Sequence, residues 1–220
     1  MSILMFSQDE RSVIIVTDTL ATTPDRRPLL FQPKAWHLPH LNMAMATTGT
    51  ANLGSLWSER IRSSALARDV GMLDAVAPGV LREIWGQLRE EFGDPGSATI
   101  YHFGFESGRD GIVRYTYRSV TGFVSERVTE PGFGVRPPPE TFELEVPYTL
   151  DEFIDLAKKV RAENDERRVA VPVGIGGELH LMLLEDGRCS TSRIYRFEDF
   201  EVHFREMMHL ARQSPHFRTE

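Results

Sequence analysis

Residues 2–18, Ser2-Ile3-Leu4-Met5-Phe6-Ser7-Gln8-Asp9-Glu10-Arg11-Ser12-Val13-Ile14-Ile15-Val16-Thr17-Asp18, carry the pattern from which the rest of the chain is read. Residues 3–6 are a short apolar run, residues 8–11 a polar turn, and Val13 to Val16 a β-branched block typical of a buried strand. Two antiparallel strands joined at that turn bring Asp18 back beside Ser2. Pro24, Pro28 and Pro33 exclude a helix between Asp18 and Lys34, so that stretch reads as a loop leading to a short extended segment. Residues 42–47 read as another strand, ended by Gly49. Leu53, Leu56, Trp57 and Ile61 then recur at helical spacing, with Thr48 or Thr50 able to cap the helix.

Further along, Leu73, Val76, Val80, Leu81, Ile84, Leu88 and Phe92 form one side of a second helical stretch, started or kinked by Pro78-Gly79 and ended by Gly93-Asp94-Pro95-Gly96. Residues 99–105, 112–119 and 123–128 read as a strand meander. In its second strand Val113, Tyr115 and Tyr117 alternate with Arg114, Thr116 and Arg118, which implies one packed and one wetter face. Residues 131–139, with three consecutive prolines, read as an extended surface connection. Thr149 and Glu152 make a capping-box pattern at the start of a third helix near Leu150. Residues 179–184 and 189–195 flank Glu185-Asp186-Gly187-Arg188, a hairpin signal, and Phe200, Phe204, Met207 and Ala211 mark a last amphipathic helix. The order gives an α+β chain whose helices cover antiparallel sheets.

Composition bounds the function. A chain of 220 residues, 41% hydrophobic and 26% charged, suits one globular domain over residues 1–220 with a substantial core. The formal charge of −7 argues against nucleic acid, which favours a basic face. No stretch has the length of a membrane span, and the residues before Arg11 lack the form of a signal peptide. With Cys189 as the one cysteine no internal disulfide is available, and a cytoplasmic location is expected. His37 and His40 lack a carboxylate or cysteine cluster, His102 and His180 fall in strands, and Gly174-Ile175-Gly176-Gly177 has no phosphate-cradling spacing. Neither a metal nor any other cofactor is expected.

The chemistry concentrates at Ser2. A serine in second position is small enough for methionine excision, which would leave a hydroxyl and an α-amine on one residue. The amine's unperturbed pKa of about 7.7 to 8.0 lets it take the hydroxyl proton near neutral pH. Ser2, the strand ending Val16-Thr17-Asp18, Lys34 before Ala35-Trp36-His37-Leu38, the strand and turn Met43-Ala44-Met45-Ala46-Thr47-Thr48-Gly49, and Gly176-Gly177 before a late strand together resemble the proteasome β-subunit family of the N-terminal nucleophile hydrolases. The resemblance implies a four-layer αββα sandwich. It also implies a nucleophilic Ser2, an Asp18 that orients Lys34, a Lys34 that lowers the nucleophile's proton affinity, and a Gly49 amide facing the oxyanion. A peptide or small amide substrate and a homo-oligomer, with a ring among the forms it can take, follow from the same resemblance, with any regulatory ATPase unknown. The chain departs from the family where Gly132-Phe133-Gly134, Pro172 and Ile175 replace polar partners of the terminal amine. Two readings are therefore carried forward: a proteasome-like peptidase, and a catalytically silent subunit serving as an assembly or binding scaffold.

Overall fold

The first hairpin forms as its sequence dictates: strand β1 (Leu4–Gln8) turns through Asp9, whose carboxylate accepts from the Arg11 and Ser12 amides, and returns as β2 (Ser12–Asp18). The computed structural model describes residues 2–23, 25–64, 67–166 and 173–213. The register pairs Leu4 with Thr17 and Phe6 with Ile15. This hairpin is the centre of a five-stranded antiparallel sheet, completed on one side by β10 (Gly132–Arg136) and on the other by β11 (Glu178–Glu185) and β12 (Arg188–Arg196). A second antiparallel sheet runs in order β5 (Ala35–Leu38), β6 (Met43–Gly49), β7 (Ala98–Phe105), β8 (Ile112–Arg118) and β9 (Ser125–Val128).

Three apolar clusters order the layers. Between the sheets lie Leu4, Phe6, Val13 and Ile15 of the first sheet and Ala44, Ala46, Tyr101 and Phe103 of the second. On the far side of the second sheet, Met43, Met45, Ile100 and Tyr117 meet α1 (Ala51–Ser63), α2 (Val70–Asp74) and α3 (Ala77–Phe92) through Trp57, Leu73, Leu81 and Ile84. On the far side of the first, Ile3, Met5, Val16 and Leu179 meet α4 (Leu150–Glu166) through Phe153, Leu156, Ala157 and Val160. The order is helix, sheet, sheet, helix. Because strand side chains alternate, residues 3–6 and 13–16 are apolar throughout, one set facing the other sheet and one facing α4.

Local signals are largely honoured. The capping box closes both ways, with the Glu152 amide donating to Thr149 Oγ1 (3.3 Å) and the Thr149 amide to a Glu152 carboxylate oxygen (3.0 Å). Helix α3 starts with Pro78 in its first turn. Helix α1 is entered at Thr50, but no side-chain cap forms; the Thr50 hydroxyl donates to the Pro95 carbonyl instead.

Two stretches differ from expectation. Between Asp18 and Lys34 the chain makes a small hairpin, β3 (Leu20–Thr22) with β4 (Pro28–Phe31). Pro28 opens its strand, where a missing amide costs no ladder bond. Residues 132–136, expected as loop, are the edge strand β10. Its Gly134 lies opposite Phe6 because the Phe6 ring covers it, and a side-chain carbon there would come within 2.4 Å of the ring. A last helix, α5 (Phe200–Gln213), packs against β4, with the Phe200 ring stacked on Phe31 at 4.5 Å. No helix of the described residues is long and apolar enough to cross a membrane.

Candidate functional site

The end of the first hairpin assembles a buried charged cluster. Asp18 is the last residue of β2, and Ile3, next before β1, is tied to it twice. The Ile3 amide donates to Asp18 Oδ1 (3.1 Å), and the Asp18 amide donates to the Ile3 carbonyl (3.4 Å). Lys34, next before β5, donates from Nζ to Asp18 Oδ1 (2.7 Å) and to the Leu20 carbonyl (2.6 Å). The Gly176 amide donates to Asp18 Oδ2 (3.0 Å). Segments 14 to 158 residues from their partners in sequence thus converge on one carboxylate and one ammonium.

Burial governs the electrostatics. Asp18 is wholly buried, Lys34 is 3% exposed and Ser2 6%. Loss of hydration pushes the Asp18 carboxyl above its ordinary range, opposed by the Lys34 ammonium and the Gly176 amide. The same burial pulls the Lys34 ammonium below its ordinary range, opposed by Asp18. A lysine of weakened proton affinity is therefore held in place at the start of β1. Its ammonium has three donors, of which Asp18 and Leu20 take two. Among the described residues, no protein acceptor takes the third, and the Ser2 hydroxyl makes no hydrogen bond with Lys34 or Asp18.

Of the four residues singled out from sequence, Asp18 and Lys34 are in contact and Ser2 is one peptide away from the amide that Asp18 holds. Gly49 ends β6 on the Lys34 side of the second sheet: the Thr47 amide donates to the Lys34 carbonyl (2.9 Å), and Gly49 lies two residues on. Its φ is +92°, and a side-chain carbon there would lie 2.0 Å from the Ser97 carbonyl oxygen. Glycine is thus required there by backbone geometry alone. Of the residues that replace polar partners, Phe133 lies opposite Ser7 in the β1–β10 ladder and packs on the α4-side core, and Ile175 is buried in that core. Pro172 lies outside the described residues.

Sequence reading missed His203 of α5. It stands against Gly176, its Nε2 lies 3.4 Å from Asp199 Oδ2, and among the described residues its buried Nδ1 has no hydrogen-bond partner. Asp199 is itself gripped by the Arg161 guanidinium. The visible signal was the Asp199/His203 spacing of one helical turn. His102, expected to be structural, is buried in the α1-side core and accepts from the Trp57 indole N–H at Nε2 (2.8 Å), and burial pushes its imidazolium down to about 3. No group of three or more His, Cys, Asp or Glu among the described residues is placed to hold a metal. A crevice of about 1300 Å³ lies at the opposite end of the sheets, lined by Arg11, Glu106, Arg127 and Arg188 among others, and none of Ser2, Asp18, Lys34 or Gly49 lines it.

Neither a protein-family model nor a curated protein matches the chain. Among solved structures, Anbu (ancestral beta-subunit) from Yersinia bercovieri matches with a TM-score of 0.57 over 96% of this chain and 94% of that one, at 12% identity. The fold is similar to that of Anbu. An Anbu (Gly-1) mutant from Hyphomicrobium sp. strain MC1 matches with the same TM-score, 0.57, at 13% identity, covering 97% of this chain and 96% of that one.

These findings overturn the assignment to the proteasome β-subunit family drawn from the N-terminal motif. At 12 to 13% identity to Anbu, with no family model matching, the relation is distant and is one of fold. The physical reason lies in what carried the assignment. Short apolar strands and a glycine at the end of β6 answer to the packing and backbone geometry of this chain's own sheets, as Gly49 demonstrates, and so do not by themselves mark a family. The coarser likeness stands: an α+β, proteasome-like fold.

Proposed function

We propose that the chain is an amide-bond hydrolase, acting on a peptide or small amide, whose nucleophile is the Ser2 hydroxyl exposed with its own α-amine by removal of Met1. The observation that supports this reading is the buried Asp18–Lys34 pair next to Ser2, with one Lys34 donor uncommitted among the described residues. Burying two charges is costly, and a pair of opposed proton affinities at the start of a strand is more readily understood as a tuned site than as a structural tie. In the proposed reaction Ser2 Oγ attacks the substrate carbonyl carbon and its proton passes to the α-amine, directly or through water. Lys34 stabilises the oxygen as it loses the proton, Asp18 orients Lys34, and the Gly49 amide receives the oxyanion. The proton then goes to the leaving amine, and water releases the acyl group from Ser2. Self-assembly of several copies belongs to the same reading.

The test begins with the intact mass of untagged protein, expected to lack methionine. Ser2→Ala is expected to abolish hydrolysis across a panel of peptide and small amide substrates, together with labelling by an electrophile that bridges hydroxyl and α-amine. Lys34→Ala is expected to abolish turnover too. Full retention of Met1, or turnover unchanged in Ser2→Ala, overturns the proposal. A second reading, a catalytically silent scaffold, is favoured by the apolar packing of Phe133 and Ile175. Absence of Ser2-dependent turnover in protein that has lost Met1 selects it.

A further inference from the structure

Residues 142–148, Phe142-Glu143-Leu144-Glu145-Val146-Pro147-Tyr148, have the alternation of a strand and, among the described residues, no strand to pair with. Both ends of the segment are pinned to α4. The Glu140 and Thr141 amides donate to Glu163, and the Tyr148 and Thr149 amides donate to Glu152. Those carboxylates are eleven residues apart on the helix, about 16 Å at 1.5 Å per residue. Seven residues of strap therefore cover roughly 2.4 Å each, well beyond helical rise and towards an extended chain. Phe142 anchors the strap in the α4-side core and Pro147 is buried. Leu144, Val146 and Tyr148 stand 42%, 40% and 88% exposed, with Glu143 and Glu145 exposed between them. Among the described residues, the backbone from Phe142 to Val146 makes no hydrogen bond.

The same molecule carries, among the described residues, an unpaired edge of opposite charge. Strand β12 is the last strand of its sheet, nine residues long, largely exposed, and bears Arg188, Arg193 and Arg196 without an acidic residue. Arg193 and Arg196 lean on Glu178 yet remain 57% and 45% exposed. A chain of net charge −7 repels its own copies, so contact between them needs local complementarity of this kind.

We propose that the strap of one copy adds as a strand to the β12 edge of a second copy. The ladder uses the strap backbone from Phe142 to Val146, ended at Pro147, which has no amide to give. Glu143 and Glu145, two residues apart on one face of the strap, face Arg193 and Arg196, which share the face of β12 that carries their common partner Glu178. The two surfaces differ, so the contact is head-to-tail and propagates into a closed ring or an open filament. This rests on the self-assembly included in the proposed function, and the test separates the two.

The experiment is light scattering with size-exclusion chromatography on the full chain. Wild type is expected to run as an oligomer. Glu143→Arg with Glu145→Arg, and separately Arg193→Glu with Arg196→Glu, are each expected to weaken assembly by about tenfold or more, through like charges brought face to face. Circular dichroism confirms that each variant is folded. Mixing the two variants is expected to restore assembly with strict alternation, because each strap then meets an edge of opposite charge. A wild type that stays monomeric overturns the proposal together with self-assembly. An oligomer that either charge reversal leaves intact, or folded variants that mixing does not rescue, overturns the strap-to-β12 pairing while self-assembly stands.

Discussion

Two ends of the same pair of sheets hold carboxylate–cation pairs and treat them oppositely. At one end Asp18 and Lys34 meet at 2.7 Å with side chains 0% and 4% exposed. At the other, among the hairpin turns, Glu106 takes the Arg127 guanidinium on both oxygens (3.0 and 2.8 Å), with Arg109 at 3.1 Å, where Arg127 is 37% exposed. Burial dominates at Asp18 and raises its carboxyl, whereas the Arg127 hydrogen bonds dominate at Glu106 and hold its carboxyl below the usual range. Pairing by itself therefore does not set a proton affinity; access to water decides whether the partner or the lost hydration wins. A pair that stays wet stabilises modestly and locally, while a dry one is poised against its surroundings and is the better candidate for chemistry.

The comparison can be broken most strongly at the dry end. Lys34→Ala leaves the Asp18 carboxyl buried without its cation and is expected to cost about 3 to 5 kcal/mol in urea unfolding. Replacing both partners, Asp18→Leu with Lys34→Met, is expected to recover little of this, since the Ile3 and Gly176 amides then lose their acceptor. Recovery to wild-type stability would reduce the pair to an exchangeable core contact. At the wet end Arg127→Ala is expected to cost no more than about 1 kcal/mol, measured in the same way.

The finest distinction is in pH. The folded pKa of Glu106 is depressed, so the stability it contributes is present above the unfolded value near 4.3 and is lost as pH falls through the lower folded value. The difference in melting temperature between wild type and Glu106→Gln is therefore expected to be largest near neutral pH and to vanish on acidification. A difference that grows with acid would show that Glu106 is not held as a carboxylate. Asp18, with its raised folded value, has the opposite sign: its contribution favours the folded state below the unfolded pKa and declines as pH rises through the folded one.

The strands of the first hairpin, the capping box at Thr149 and Glu152, and the hairpin around Gly187 were legible in sequence because each depends on neighbours within a few residues. The return of Asp18 to the start of the chain follows from the turn of that first hairpin; it is expected beside Ser2, and the structure ties it to Ile3. Two internal stretches were less legible. Gly132 to Arg136 looks like loop because glycine and arginine carry no strand preference, yet Phe6 across the ladder needs the bare Gly134 beneath its ring. The β3–β4 hairpin was hidden by its prolines, of which Pro28 sits where a strand begins and needs no amide.

What the sequence by itself determined is local: apolar alternation, caps, tight turns, and the presence of one serine, one aspartate and one lysine at suggestive intervals. Only the tertiary structure decided that the Gly176 amide, 158 residues from Asp18, and the Leu20 carbonyl complete the cluster, and that the pair is dry. Periodicity records which side of an element faces the core, but hydration at a point depends on everything packed around it, and those atoms come from every part of the chain.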